Sequence, residues 1–465
     1  MKIHLRLSML VPMLILLLLL GINHSQALQI ESQESQNQVD GHANLPWSSQ
    51  YVQQEFDPPR DVGRFVSMAL RPFDDYPVIS YYDATNTDLM VAIPVVGHVG
   101  NCGTNNNWLC DSIDGDTDAV GMSTSIDIYG ASVYYWKLGI SYYDITNRSL
   151  KVTIWTCSSG ACNREYYTVS SPNSNDVIIG LYSSLKFDST GNAAIAYFQT
   201  NPIYGYSHLV YAYQVPAGGN CGEGAAYGLW ECEGISELGS EGRYTSLDFS
   251  FDDTPYIAYY NKGSSQLWIA YNRIGGFMCT AFYWTCMPLD GDLADVGLFA
   301  SLKAPQYDGD LYRIAYHDKT NGYLKYYDPD WGPVVVDVMG ASPEPMGISI
   351  EIDSDGYPVI AYQYIESDFS PPALSIARPY LAYNGDEVGN CGDVPPGWHD
   401  QYWHCTPLDD GSQYTDEADY ASMVVNSKGR LAIAYSEFDN DNFLMSLKFI
   451  FQTNFRFYLP ITYKQ

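Results

Sequence analysis

Positive charge is scarce in this chain: 23 Lys and Arg stand against 54 Asp and Glu in 465 residues, giving a formal net charge of -31 and a sequence pI near 4.3. Such acidity repels phosphate backbones and anionic lipid heads, which excludes nucleic acid and membrane surfaces as partners and leaves cations, neutral sugars or basic proteins. Long apolar runs are scarce too. The one of note, Leu7 to Gly21, follows Lys2 and Arg6 and precedes Ser25-Gln26-Ala27, the pattern of a secretory signal peptide cut after Ala27. An uncleaved anchor is the rival reading, and no later run is long enough to span a bilayer. Also missing are G-x-S-x-G, H-E-x-x-H, a Gly-rich phosphate loop and G-x-G-x-x-G, so no common catalytic motif is present. Apolar residues, by contrast, make up 46% and aromatics 15%, enough for a large core and incompatible with a disordered chain, a collagen or a coiled coil.

What the chain does have is an internal repeat, seven times over. Each unit opens with Ser and an apolar residue: Ser67-Met68, Ser125-Ile126, Ser184-Leu185, Ser246-Leu247, Ser301-Leu302, Ser349-Ile350 and Ser422-Met423. A small residue and Tyr follow: Ser80-Tyr81, Ser141-Tyr142, Ala196-Tyr197, Ala258-Tyr259, Ala315-Tyr316, Ala361-Tyr362 and Ala434-Tyr435. A third element begins with Leu89, Leu150, Leu209, Leu267, Leu324, Leu374 or Leu447. These short segments, rich in Val, Ile, Tyr and Phe and split by turns such as Asp188-Ser189-Thr190-Gly191, read as hairpin-linked strands. A fourth strand, often marked by Trp, completes most units. The expected fold is all-β, a seven-bladed β-propeller of four-stranded antiparallel blades, with an open β-solenoid as rival. The last unit lacks its own Trp strand, and Trp47 to Phe56 precedes the first, so an N-terminal strand is expected to close the ring. The organisation is then signal peptide 1–27, flexible leader 28–46, propeller 47–451 and tail 452–465.

The ten cysteines fall into near pairs: Cys102 with Cys110, Cys157 with Cys162, Cys221 with Cys232, Cys279 with Cys286, and Cys391 with Cys405. In an exported chain this spacing predicts one disulfide per hairpin, with zinc binding as the competing reading. Three pairs open with Gly-Asn-Cys-Gly.

Loops before the first strand and after the second share one face of a propeller. The first set is acidic, as in Asp61-Val62-Gly63, Asp118-Ala119-Val120-Gly121 and Asp295-Val296-Gly297, with Asp416 and Asp419 in the last unit. The second set holds Tyr82-Asp83, Tyr143-Asp144, Asn261 and His317-Asp318, the candidate ligand-binding residues, because carboxylates, amides and rings suit a sugar. Asp114, Asp116, Asp290 and Asp292, in Asp-Gly-Asp runs, are the candidate metal ligands, with calcium as the cation their oxygens would take. Two residues after each repeated Ser stand Ala69, Asp127, Lys186, Asp248, Lys303, Glu351 and Val424, whose alternating signs predict ion pairs between neighbouring blades.

The run 184–197, with looser copies at 353–362 and 67–83, resembles the repeats of secreted bacterial β-propellers of unassigned function, and is remotely similar to the sialidase-like superfamily. The Trp of that superfamily's S-x-D-x-G-x-x-W box is Tyr or Ile here and no arginine triad is evident, so the likeness implies the fold and not the sialidase reaction. Phe457 to Ile461 resembles short tails on exported bacterial proteins. The sequence thus predicts a secreted or cell-surface monomer that binds a glycan or a cell-surface protein without catalysis. The alternatives are a glycoside hydrolase or polysaccharide lyase using Asp83, Asp144 and Asp318, or a structural surface protein.

Overall fold

The computed structural model describes residues 46–53, 60–174, 176–224, 227–236, 242–273, 279–291, 293–339, 347–364, 373–379, 389–393, 402–408, 415–417, 420–439 and 444–453. The predicted signal peptide 1–27, the predicted leader except for its last residue, the tail segment 457–461, Asp292, Asp419 and the side chain of Asp416 lie outside them. Seven antiparallel sheets follow one another along the chain. Their innermost strands are Val62–Leu70, Val120–Ser132, Ile178–Phe187, Arg243–Phe249, Val296–Lys303, Ile348–Ile352 and Ser422–Val425. Each of these touches the next, and the last touches the first, so the ring is closed and the fold is a seven-bladed β-propeller. The seventh blade takes its outermost strand, Trp47–Gln53, from before the first blade; it pairs antiparallel with Leu444–Gln452, Trp47 lying opposite Gln452. An extra short strand, Thr415–Glu417, pairs with the far end of Leu431–Asp439. Among the described residues no helix is long and apolar enough to cross a membrane.

Every repeated residue has a mechanical task between blades. The hydroxyl of each repeated Ser accepts the backbone N–H of the residue that follows the corresponding Ser of the next blade: Ser67 from Ile126 at 3.1 Å, Ser125 from Leu185 and Ser184 from Leu247 at 3.0 Å. Ser246, Ser301 and Ser349 serve Leu302, Ile350 and Met423, and Ser422 returns to Met68 at 3.0 Å. Inner strands of neighbouring sheets share no β-pairing, so these hydroxyls satisfy N–H groups that would otherwise be buried without a partner.

At five of the junctions a glycine of the next blade lies on the fully buried repeated Leu. A Cβ at Gly63, Gly121, Gly180, Gly242 or Gly297, all with φ between +91 and +110, would meet the Cα of Leu447, Leu89, Leu150, Leu209 or Leu267 at 2.6–3.1 Å. The repeated Tyr spans the same junction. Tyr142 and Tyr316 donate to Asp114 and Asp290 of the preceding blade at 2.7 and 2.6 Å, and Tyr81 and Tyr362 donate to Gln53 and Asp337 at 2.5 Å. Burial, followed by the adjacent carboxylates, pushes the Tyr142 and Tyr316 phenols well above their ordinary range.

The alternating charges pair between blades as the sequence predicts: Lys186 lies 3.4 Å from Asp127, and Lys303 lies 2.7 Å from Glu351. Asp127 also accepts the N–H of Phe187 on the next inner strand, and Asp248 that of Ala304 just past the end of the next one, both at 2.9 Å.

All five predicted disulfides are formed. The Asn of Gly-Asn-Cys-Gly clasps the second cysteine of its own pair in both directions. Asn101 Oδ1 accepts the Cys110 N–H at 2.7 Å while its amide donates to the Cys110 carbonyl at 2.8 Å, and Asn220 and Asn390 repeat this on Cys232 and Cys405. Asp337 sits beside Cys391 and Cys405, but sulfurs bonded to each other offer no thiolate to a metal.

Candidate functional site at the channel mouth

The pairing register places the predicted loops on one face. Val62 lies opposite Asp83, Asp83 opposite Asp88, and Leu89 opposite Asp114, so the acidic loops, the turns after the second strands and the Asp-Gly-Asp runs share a side; the disulfide hairpins occupy the other.

The side chains, however, are turned to other work. Asp83, Asp144 and Asp318 are 0, 1 and 2% exposed. Each begins an Asp-x-Thr-Asn turn: one carboxylate oxygen accepts the backbone N–H of Asn86, Asn147 or Asn321 at 2.8–3.0 Å, and the other accepts that Asn's side-chain amide at 2.8–2.9 Å. The Thr between them accepts a backbone N–H from the acidic loop, of Asp61, Ala119 or Asp295, at 2.7–2.8 Å. Asn261 holds its turn in the same way, through the N–H of Gly263 and Ser264. Asp83, Asp144 and Asp318 are thus buried with both oxygens on turn donors, a turn-holding role that the sequence expectation did not include. Tyr82, Tyr143 and His317 are likewise buried.

The Asp-Gly-Asp acids are also redirected. Asp114 takes Lys151 Nζ at 2.7 Å besides the Tyr142 hydroxyl, and that ammonium lies 3.9 Å from Asp144. Asp290 takes Lys325 and the Tyr316 hydroxyl, with Lys325 3.9 Å from Asp318. In both runs, then, one oxygen of the first acid accepts a lysine ammonium and a phenol together. Asp116 is exposed.

What the face does present is a collar of rings that the sequence reading did not find. Two residues beyond the tight glycine of blades one to five come Phe65, Ser123, Tyr182, Tyr244 and Phe299, with φ of 54, 54, 53, 53 and 54. The inner strand shifts register at each of these places. A left-handed conformation costs a non-glycine residue roughly 1–2 kcal/mol, so five recurrences mean that the bulge and the blade junction impose it. Four of the five residues are aromatic and only half-buried, and Tyr420 stands at the matching position in blade seven. Ring centroids are 4.8 Å apart for Phe65 and Tyr420, 4.6 Å for Tyr182 and Tyr244, and 4.2 Å for Tyr244 and Phe299. Behind the collar, Phe65 rests on Tyr82, Tyr182 on Phe198 and Tyr244 on Tyr260, at 6.4, 6.0 and 6.3 Å. Ser123 and Gly347 leave two gaps. The residue after the repeated Tyr thus props a collar ring, which gives its variation a packing role. The signal in the sequence was Gly-x-aromatic-x-Ser, ending on the repeated Ser of blades one, three, four and five.

Polar groups flank the rings. Asp61 accepts from the Arg64 guanidinium through both oxygens, at 3.0 and 2.7 Å, and Tyr260 donates to Asp295 at 2.6 Å. Along the inner strands the collar is followed by the serine ring and then by the charged pairs, so the channel entrance is aromatic and its wall is ionic.

No protein-family model and no curated protein matches the sequence. Solved structures do resemble the chain. The polysaccharide lyase Uly1 is 10% identical, with a TM-score of 0.44 over 83% of this chain and 90% of its own. AofleA from Arthrobotrys oligospora is 12% identical, with a TM-score of 0.37 over 86% of each chain. The fucose-specific lectin from Aleuria aurantia is 10% identical, with a TM-score of 0.40 over 73% of this chain and all of its own, 100%. Likeness at this level transfers no activity.

Proposed function

We propose that this protein is an exported recognition propeller that binds a glycan at the aromatic collar of its channel mouth, without cleaving it. The observation that carries the reading is the five-fold recurrence of the strained left-handed position, filled by a half-exposed ring in four cases. The bulge fixes one backbone conformation at each of these places, and so presents the rings at one level around the channel mouth. Rings packed at a tilt against one another around an opening offer apolar faces for the C–H side of a sugar, while Asp61, Arg64 and Asp295 supply donors and acceptors for its hydroxyls. Five disulfides suit an oxidising compartment, and with the signal peptide read from the sequence they support export and a cell-surface or extracellular site.

The test is incubation of the protein with a polysaccharide panel, with and without calcium, recording retention on the polymer and release of soluble sugar. Retention without release, lost in Tyr182→Ala and Tyr244→Ala but kept in Asp83→Asn, is the expected result. Soluble product would make the protein a glycoside hydrolase or lyase and overturn the proposal. Neither signal would leave a protein partner or a structural role.

A further inference from the structure

A second opening lies away from the collar, in the junction between blades three and four and towards the disulfide face. It is a cavity of about 460 Å³ lined by Tyr211 and Tyr213 from strand Tyr206–Gln214, Glu233 from strand Trp230–Ser236, and Asp253, Asn272 and Tyr283 from blade four. Each wall is fixed for a separate reason. Tyr211 is buried edge-on against Trp284 at 5.2 Å and lies 5.6 Å from Tyr213, which is 36% exposed. Glu233 accepts the Trp284 indole N–H at 3.0 Å through one oxygen. Asp253 is held by the backbone N–H and hydroxyl of Ser189, at 2.9 and 2.5 Å. Tyr283, 54% exposed, is carried on the Cys279–Cys286 hairpin.

Three phenol rings and two carboxylates around one cavity form an environment for an organic cation. Ring faces attract an ammonium by their quadrupole, the carboxylates accept its N–H groups, and an anionic or uncharged guest of the same size would gain less. The volume suits one or two pyranose rings, whose C–H faces match the tyrosines. From this geometry we infer that the cavity between blades three and four is a binding site for an amino sugar with a free amine. It is independent of the collar, and neither site's failure bears on the other.

The experiment is calorimetric titration of the full chain with glucosamine dimer and trimer, at mildly acidic pH and physiological salt, beside the same oligomers fully N-acetylated and the glucose equivalents. The expected result is binding of the free amine at least about tenfold tighter than of either comparison ligand. Glu233→Gln keeps the acceptor for Trp284 and Tyr283→Ala removes a half-exposed ring, so both variants should fold; each should weaken amine binding about tenfold or more. Ser158→Ala, an exposed position outside both the cavity and the collar, should leave it unchanged. Equal affinity for the acetylated and free oligomers, binding untouched by both cavity variants, or no binding would overturn the assignment.

Discussion

Removing one hydroxyl from the serine ring tests the account of how the blades are joined. In Ser246→Ala the N–H of Leu302, a residue only 4% exposed, loses its acceptor at 3.0 Å. An unsatisfied buried donor costs roughly 1–3 kcal/mol. If the propeller unfolds as one unit of about 400 residues, with an unfolding entropy near 2.1 cal/mol/K per residue, then ΔS is about 0.8 kcal/mol/K and Tm should fall by about 1–4 °C. Ser422→Ala, which strips the bond to Met68 across the closure of the ring, should fall by a similar amount. The control is Ser158→Ala, an exposed serine of the disulfide hairpin, expected to change stability by less than about 0.5 kcal/mol. Differential scanning calorimetry reads all three. A Tm for Ser246→Ala indistinguishable from that of Ser158→Ala would refute the idea that these hydroxyls hold the blades.

Gly121→Ala should destabilise by at least about 2 kcal/mol in urea unfolding, since its φ is +110 and the new Cβ would lie 2.8 Å from Leu89 Cα; Gly97→Ala, at φ +81 with open space around it, should cost only about 1 kcal/mol. The buried phenols keep their protons to higher pH than in the unfolded chain, with burial pushing Tyr197 up to about 12. Their contribution to stability is therefore complete below about pH 10 and is lost as pH rises beyond it, so tyrosinate absorbance should show a late step coinciding with loss of circular dichroism. Reduction of the disulfides, none closing more than 14 residues, should lower stability by up to about 3 kcal/mol per bridge while leaving a folded ring, because blades five and seven stand without one; Tm with and without reductant measures this.

The blades were legible because the same physical demand recurs at each junction. Ser, small-Tyr and Leu repeat since every junction needs an acceptor for a buried N–H, and most also use a phenol reaching across and a side chain lying under a glycine. The charged pairs were legible for the same reason: their spacing from the repeated Ser fixes their level on the inner strand. The site was less legible. Asp83, Asp144 and Asp318 looked available because sequence shows which face a loop occupies but not whether its carboxylate turns outward or folds back on its own N–H groups. The collar was hidden because its residues lie in a bulge ahead of the repeated Ser, where strand periodicity breaks and only φ reveals a shared position.

The seam of the seventh blade constrains how the molecule comes into being. The strand that completes the blade is made before any other described strand, yet its partner, Leu444–Gln452, is made last. During vectorial synthesis, Trp47–Gln53 must wait as an unpaired edge while six blades form beside it. Each disulfide joins neighbours 5 to 14 residues apart and can be oxidised as its own hairpin emerges. Blade formation and ring closure are therefore separable in time, and truncation near the last strand would leave most blades folded around an open gap.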